Sequence, residues 1–393
     1  MSERLAKRKT HKKSRKGCLQ CKQRHNKCNE VRPRCANCVR IDIDCTWPSN
    51  PNTSSSPSSQ IGPVTTSAVA SPNLDFGISD QTSGATSLRI NDMRLLHHWV
   101  TKAAKSLHPQ NVQKYEMWQG SIVDLSFDHP FVLHGLLGMA ALHKAGAGNL
   151  TDRAALAVEA DHHISVALGI YRKKLEHPIL EEALPMFILS SILVNYNFGS
   201  ANLQEPEHPL SAVEHCFRLL RGVRVVIHPH WQQLRETETF LLMAGPAMNP
   251  ATEPGPHDAE IWEVRQLKQL TADQDPLDGE ACAEAIDELH RAFVRTRKCS
   301  QKDDNEYAVM MSWPATLSET FINLLSLHNP VVLIILLHFA VLMDEVRYSW
   351  WTKGWPQRIL RATRDALHGN PALQKWLDWP GQRIKHSISS NNT

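Results

Sequence analysis

Apolar residues after position 88 recur at steps of three and four, and this spacing predicts helices. Thr151 can cap a helix, and the apolar residues that follow it share one face. They are Leu156, Ala160, Ile164, Ala167, Tyr171 and Leu175. Pro130 suits the first turn of another helix that continues through Leu142. The alternating pattern typical of strands is scarce, so we predict an all-α domain over residues 88–393.

The same spacing predicts further helices at 91–107, 184–198, 210–227, 276–297, 315–327, 330–351 and 355–367. Within the sixth of these, residues 330–343 are apolar on nearly every side. A helix with that composition must be enclosed by other helices or by a ligand. We expect it to be the central helix of the core.

Residues 48–87 have a different composition, with 21 Ser, Thr or Pro in 40 positions and no Lys or Arg. Such a segment cannot bury enough apolar surface to fold, which predicts a disordered linker. A phosphorylated or partner-binding segment is the alternative, and nothing in the sequence separates the two.

Charge is distributed unevenly along the 393 residues. The first 47 residues hold fourteen Lys or Arg and four Asp or Glu, a formal charge of +10, and the rest carries about −7. A basic head on an acidic body indicates a polyanionic partner for the head, either nucleic acid or an anionic membrane surface.

Two features bear on the compartment. The N-terminus is polar and basic without the apolar core of a signal peptide, which indicates a reducing compartment and argues against a secreted disulfide module. The longest candidate, thirteen residues from Val331 to Met343 that include His338, is shorter than the roughly 18 apolar residues that a spanning helix needs. We expect a soluble protein without a membrane span.

Six of the nine cysteines lie within 28 residues, at Cys18, Cys21, Cys28, Cys35, Cys38 and Cys45. They form two near-identical halves, each with a Cys-x2-Cys pair and a third cysteine six residues later. Zinc takes four thiolates, so six cysteines satisfy two Zn²⁺ ions only if two sulfurs bridge both ions. The symmetry of the halves predicts that Cys18 and Cys35 bridge.

The segment GCLQCKQRHNKCNEVRPRCANCVRIDIDC resembles the fungal binuclear zinc-cluster (Zn2Cys6) DNA-binding domain over its whole length. The resemblance implies a two-zinc domain over residues 18–47, a loop at Pro33, and a helix near Cys18 that enters the major groove. It also implies double-stranded DNA as the partner.

By this resemblance, the predicted DNA-binding residues are Lys16, Lys22, Arg24, His25 and Lys27. Lys27 takes a position suited to a phosphate contact. The family usually has a basic residue at one or both of the positions of Arg24 and His25, where it helps to read a CGG-like triplet. A mostly neutral imidazole at position 25 departs from that pattern. The alternative role for each basic residue is a phosphate contact without base information.

Basic residues also dominate residues 1–17, which we interpret as a basic arm: Lys7, Arg8, Lys9, Lys12, Lys13, Arg15 and Lys16. Such a run suits both a nuclear-import signal and a flexible arm along the phosphates. We therefore predict a nuclear protein. Membrane binding is the weaker interpretation, because no apolar face accompanies these charges.

The helical region resembles the regulatory domain of the sterol uptake control subfamily. The resemblance lies in 94–107, 129–146, 218–222, 328–360 and the closing WLDWP at 376–380. It implies a domain that serves dimerisation and/or effector sensing, with a homodimer and a hydrophobic, sterol-like effector as expected partners. We expect the pocket near helix 331–343 and the aromatic residues Tyr348, Trp350, Trp351 and Trp355, although such residues are more often core.

An enzyme is not predicted, because the sequence contains no GxSxG, HExxH, Walker or GxGxxG motif. The 21 histidines include the neighbours His97, His98 and His162, His163. A metal site on a helix favours i, i+4 pairs, so we interpret these four as surface or capping residues. The leading hypothesis is a zinc-dependent, sequence-specific regulator of RNA polymerase II transcription. The alternative is an effector sensor with little intrinsic DNA affinity.

Overall fold

A computed structural model of the chain describes the following residues: 18–23, 28–31, 35–40, 45–47, 90–109, 111–148, 150–176, 179–299, 306–346 and 349–389. Contacts divide the chain into two compact units, Met1–Ser83 and Gly84–Thr393. The predicted basic arm at 1–17 and the predicted linker at 48–87 lie outside the described residues, so both stay predictions.

All secondary structure in the described parts of the chain is helical, as the mostly-α prediction requires. The first unit contains α1 (Leu19–Gln23) and α2 (Ala36–Arg40). The α-helices of the second unit are α3 (Ile90–His98), α4 (Ala104–Leu107), α5 (Val112–Gln119), α6 (Ser121–Asp128), α7 (Pro130–Ala147), α8 (Leu150–Glu176), α9 (Ala183–Ser200), α10 (Pro209–Ile227), α11 (Trp231–Leu234), α12 (Glu238–Met248), α13 (Trp262–Arg265), α14 (Pro276–Lys298), α15 (Glu306–Thr316), α16 (Glu319–Ser326), α17 (Pro330–Glu345), α18 (Trp355–Leu367) and α19 (Asp378–Ser389).

Shorter segments connect several of these helices. A π-helical stretch, Trp99–Ala103, joins α3 to α4. The 3-10 segments are Leu180–Glu182, His228–His230, Pro250–Thr252, Gln266–Leu270, Trp350–Thr352 and Pro371–Leu377.

Proline marks the start of four long helices. Pro130, Pro209, Pro276 and Pro330 are the first residues of α7, α10, α14 and α17. Proline is favoured at this position because its fixed φ is helical and the first N–H of a helix has no intrahelical partner. These helices therefore begin where the sequence predicts.

Helix α7 packs between α8 and α9, and two glycines allow the close approach. A Cβ on Gly135 would lie 2.7 Å from the Leu189 side chain of α9, and one on Gly138 would lie 2.8 Å from that of Ile164 on α8. Both distances are shorter than carbon atoms tolerate. Two small residues one turn apart on α7 thus set its distance to both neighbours.

The predicted apolar face of α8 is buried from Leu156 to Tyr171, and Leu175, in the last turn, is 40% exposed. The helix begins at Leu150, one residue before Thr151, the predicted cap.

Helix α17 confirms the prediction of a central core helix. Every side chain from Val331 to Met343 is buried, and α14, α16, α18 and α19 pack around it. The ring of Phe339 stacks on Trp313 with a centroid distance of 4.5 Å. Other helices, rather than a ligand, enclose the segment.

Two predicted helices have different bounds in the structure. The stretch 315–327 is divided, because α15 ends at Thr316 and Ser318 caps α16 by accepting a hydrogen bond from the Phe321 N–H. The stretch 330–351 ends at Glu345. We did not predict α5, α6, α11, α12, α13, α15 and α19. Of these, α12 and α15 each contain an internal proline near the C-terminal end. A proline there leaves the earlier turns of the helix intact.

Among the described residues, no single helix is both long and apolar enough to cross a membrane. One pair, Glu319–Ser326 and Pro330–Glu345, passes that test jointly, across a bend of 101°.

Candidate metal centre

The first unit repeats one local arrangement twice. Helix α1 follows Cys18 and contains Cys21, while α2 follows Cys35 and contains Cys38. In each half, one short helical turn brings the two sulfurs of a Cys-x2-Cys pair to the same side. This repeat reproduces the symmetry of the sequence spacing.

The six sulfurs form two groups of four. One group contains Cys18, Cys21, Cys28 and Cys35, and the other contains Cys18, Cys35, Cys38 and Cys45. Within each group, all sulfurs lie within 4.8 Å of one another. Cys18 and Cys35 belong to both groups.

The sulfur separations suit zinc. The Sγ atom of Cys18 lies 3.7 Å from those of Cys35 and Cys38, and Cys21 Sγ lies 3.6 Å from Cys35 Sγ. Four thiolates about 2.3 Å from one tetrahedral zinc are about 3.8 Å apart. The cysteines therefore fit two zinc ions, and thiolates at this distance need such a cation to offset their repulsion.

The surroundings of the sulfurs favour thiolate at the two shared positions. Burial acts to raise the pKa of Cys35, but hydrogen bonds from the Cys38 N–H and from neighbouring thiols outweigh it and lower the pKa to about 6. The pKa of Cys18 is lowered by comparable hydrogen bonds against the effect of burial. Burial raises the pKa of Cys21 to about 12, with further contributions from the neighbouring sulfurs.

Backbone N–H groups also point at the outer sulfurs. The Cys35 N–H donates to Cys45 Sγ at 3.2 Å, and the Glu30 N–H donates to Cys28 Sγ at 3.4 Å. Hydrogen bonds to ligands orient them and stabilise their charge. Glu30 has a left-handed φ of 58° to reach this geometry.

Three polar residues that we did not single out hold the first unit together. Thr46 accepts a backbone hydrogen bond from Leu19 and bonds Gln20 through its N–H and its hydroxyl. Asn29 accepts from the Ala36 N–H at the start of α2. These contacts fix the segment after Cys28 and the segment after Cys45 to the two helices. In the sequence, a polar residue follows the third cysteine of each half: Asn29 follows Cys28, and Thr46 follows Cys45.

Of the predicted DNA-binding residues, the structure describes Lys22 alone, and its side chain is exposed near the end of α1. Lys16, Arg24, His25 and Lys27 lie outside the described residues, as does Pro33. Their roles stay predictions.

The second unit contains a separate cavity of about 400 Å³. Its wall is mainly apolar and includes Trp118, Phe187, Trp231, Phe240, Met243 and Tyr307. Of the residues that we expected around a pocket, Trp351 lines this cavity, and Tyr348 lies outside the described residues. No residue of α17 lines it, because the side chains of that helix are used in packing.

A few polar groups lie in the wall of this cavity. The Tyr307 hydroxyl donates a hydrogen bond to Asn195 Oδ1. Burial, with a smaller contribution from Lys114, lowers the pKa of His108 to about 3, so its imidazole is neutral at physiological pH. The indole N–H of Trp118 is buried without a hydrogen-bond partner among the described residues.

Residues 16–54 match the family described as the fungal Zn(2)-Cys(6) binuclear cluster domain. The chain carries a domain of this family. The six cysteines with the geometry above lie within the matched segment, so the zinc-cluster domain accounts for the predicted two Zn²⁺ ions.

Similarity to known proteins extends beyond the zinc-cluster domain. A "Zn(2)-C6 fungal-type transcription factor" of Gibberella zeae is 21% identical, over 95% of this chain and 86% of the relative. "Sterol uptake control protein 2" of Saccharomyces cerevisiae is 21% identical over 78% of this chain and 33% of the relative. The transcription factor afumD of Aspergillus fumigatus is 29% identical over 34% of this chain and 33% of the relative. The chain thus spans about a third of the length of the last two.

These relatives confirm the predicted resemblance to fungal zinc-cluster regulators, including a sterol uptake control protein. They are described as transcription factors and a control protein, in agreement with the prediction that the chain is not an enzyme.

Proposed function

We propose that this chain is a zinc-dependent, sequence-specific DNA-binding regulator of RNA polymerase II transcription that acts in the nucleus. The observation that carries the proposal is the pair of four-sulfur groups inside a segment that matches the zinc-cluster family. The transcription factor from Gibberella zeae, similar over most of both chains, supports it. The basic charge of residues 1–47 supports a polyanionic partner.

In this proposal, Cys18 and Cys35 would bridge the two ions, and each of the other four cysteines would bind one. The ions supply positive charge that stabilises six thiolates and free energy that folds a unit too small for an apolar core. Lys22 lies in the last turn of α1, and its side chain is exposed. The hydrogen bonds of Thr46 and Asn29 keep both short helices in place.

Lys16, Lys22, Arg24, His25 and Lys27 are the proposed DNA contacts. Lysine binds phosphate as a flexible point charge, whereas arginine forms a bidentate pair with guanine in the major groove. Arg24 is therefore the proposed reader of base sequence, and Lys27 the proposed phosphate contact. A neutral imidazole at His25 removes one cation from the surface that reads the triplet.

Selection from a random duplex library tests this proposal. The zinc-loaded full chain is incubated with the library at physiological ionic strength, and bound duplexes are sequenced after several rounds. Enrichment of one short motif supports sequence-specific binding and shows which triplet His25 permits. Recovery of duplexes without a common motif contradicts it, because non-specific binding rests on charge alone.

A second function, effector sensing by the helical unit, is favoured by the cavity. Its volume of about 400 Å³ lies within the range of small-molecule sites, and its wall is mainly apolar. The indole N–H of Trp118, which has no hydrogen-bond partner in the described part of the chain, would donate to one hydroxyl or carbonyl oxygen of such a ligand. A hydrophobic molecule with a single polar group, such as a sterol, fits this description. The similarity to "Sterol uptake control protein 2" agrees with it.

Dimerisation through the helical unit is the other proposed role of this region. It rests on the resemblance to the sterol uptake control subfamily. Sedimentation of the full chain over a range of concentrations measures it directly. A mass of two chains supports dimerisation, and a mass of one chain at every concentration contradicts it.

A further inference from the structure

Three potential metal ligands meet in the second unit, far along the chain from the six cysteines. Asp92 lies on α3, and Glu159 and His163 lie on α8. Their ligand atoms all lie within 4.8 Å of one another. Glu159 and His163 are four residues apart and therefore project from the same face of α8, one turn apart.

The orientation of the His163 ring is fixed by a second histidine. His163 Nδ1 lies 2.9 Å from Nδ1 of His134 on α7, so one ring donates a hydrogen bond to the other. When His163 is the donor, its Nε2 carries a lone pair, and this atom lies on the side of Asp92. Metal-binding histidines commonly donate their other ring N–H to a neighbouring group in this way.

The distance between His163 Nε2 and Asp92 Oδ1 is 3.6 Å. An N–H···O hydrogen bond is shorter, at about 2.7–3.2 Å. Two ligands about 2.0–2.1 Å from one tetrahedral zinc are about 3.4 Å apart. The separation of these two atoms is thus close to the one that a shared metal ion requires.

Burial and charge also favour a cation here. His163 is 3% exposed, Asp92 7% and His134 5%, whereas our interpretation of the sequence placed His163 on the surface. Glu159 brings a second carboxylate to the same point. Two carboxylates in a partly dehydrated site repel each other, and a divalent cation between them offsets that repulsion.

We propose that Asp92, Glu159 and His163 bind a divalent transition-metal ion of the zinc class. His134 is the positioning residue that holds the His163 ring. One imidazole nitrogen and two carboxylate oxygens are a donor set that suits zinc, and three protein ligands leave a fourth position for water or another group. Bound there, the ion would fix α3, the first helix of the described part of this unit, to α8.

The test counts metal ions in the full chain. Wild-type chain, Glu159→Gln and His163→Gln are dialysed against buffer with micromolar zinc, and zinc per chain is measured by mass spectrometry. The matched control is His162→Gln, an exposed neighbour outside the ligand set. We expect three zinc ions per chain in the wild type and the control, and two in the other variants.

A second readout separates this site from the cysteine cluster. Cobalt bound to thiolate has an intense ultraviolet charge-transfer band, and cobalt bound to oxygen and nitrogen does not. The band therefore reports the cysteine sites alone, and it should be equal in all four proteins. Loss of the band with retention of one zinc would contradict the proposed function and leave the third site standing.

Two results would overturn the inference. One is a wild-type chain that binds zinc only at its thiolates, which would mean that Asp92 and His163 form an ion pair. The other is an unchanged zinc count in both Glu159→Gln and His163→Gln. Circular dichroism spectra equal to that of the wild type show that the variants are folded. Loss of the ion is then caused by the missing ligand and not by unfolding.

Discussion

The sulfur of Cys35 lies 3.7 Å from that of Cys18 and 3.6 Å from that of Cys21, and it belongs to both four-sulfur groups. If Cys35 bridges two ions, its removal affects both. We predict that Cys35→Ala loses both thiolate-bound ions, because each group is left with three sulfurs. The cobalt charge-transfer band of the full chain measures this loss.

Cys299→Ala is the control for this prediction, since Cys299 lies in the helical unit at the end of α14. Its cobalt band should equal that of the wild type. A Cys35→Ala chain that keeps half of the band would mean that Cys35 binds one ion and that another sulfur bridges.

Lys27 carries a second prediction at the residue scale. A lysine on a DNA phosphate releases about one counterion when it binds, so Lys27→Ala should reduce the log–log salt slope of DNA affinity by about 0.9. Affinity is measured on the selected duplex at several salt concentrations. Lys173→Ala, an exposed lysine of α8, is the control and should leave the slope unchanged. An unaltered slope in Lys27→Ala would refute the phosphate contact.

The spacing of the cysteines was sufficient to predict a metal centre, because two thiolates three residues apart on a helical turn can bind the same tetrahedral zinc ion. The histidines were harder to interpret. His163 gains its role from Asp92 and His134, which are distant in sequence and come together only when α3, α7 and α8 pack. The i, i+4 pair on α8 joins Glu159 to His163, whereas the sequence prediction considered pairs of histidines.

At the scale of the helices, the packing of α7 on α8 gives a prediction. A Cβ at Gly138 would lie 2.8 Å from the Ile164 side chain and 3.3 Å from the Ala160 carbonyl oxygen. We expect Gly138→Ala to lower the free energy of unfolding by about 1–3 kcal/mol, as overpacking does. Urea unfolding followed by circular dichroism measures the change.

Gly169 on the exposed side of α8 provides the matched control, because a Cβ at this position would have no neighbouring atom within 4 Å. Gly169→Ala should raise the free energy of unfolding by about 0.5–1 kcal/mol through helix propensity alone. Equal effects of the two substitutions would mean that α7 and α8 are not in close contact at Gly138.

Helix starts were more predictable than helix ends. The prolines at the first positions of α7, α10, α14 and α17 act locally, so the sequence signal is sufficient. Helices α12 and α15 continue past the internal prolines Pro246 and Pro314, and α17 ends at Glu345, six residues before the predicted end. Apolar spacing does not contain that information.

At the scale of the whole molecule, the cavity of the helical unit gives a prediction about ligands. Ala244 lines the cavity, and a larger side chain there reduces its volume. Ala244→Phe should weaken binding of a fluorescent sterol to the full chain by at least about tenfold, as expected for steric exclusion worth about 1.4 kcal/mol. A titration followed by fluorescence measures the affinity.

Ala154→Phe, on the exposed side of α8, is the control and should bind the sterol as the wild type does. Equal binding by both variants would place the sterol elsewhere. Absence of binding by the wild type would remove sterols as the effector and leave the DNA-binding proposal unaffected.

The asymmetry of charge, with a basic first segment of 47 residues and an acidic remainder, was fully readable from the sequence. The position of the cavity was not. We expected the cavity beside the apolar helix, but α17 packs against four other helices. The cavity lies instead where aromatic residues from separate helices leave a gap, at Trp118, Trp231 and Tyr307.

The most direct test of the central claim compares the affinity of the full chain for its selected duplex and for a scrambled duplex, before and after removal of zinc. We predict that the zinc-loaded chain binds the selected duplex at least about 10³-fold more tightly. A chelator should abolish that difference, and added zinc should restore it, because the ions fold the cysteine cluster. Equal affinity for the two duplexes, or a preference that survives chelation, would contradict the account.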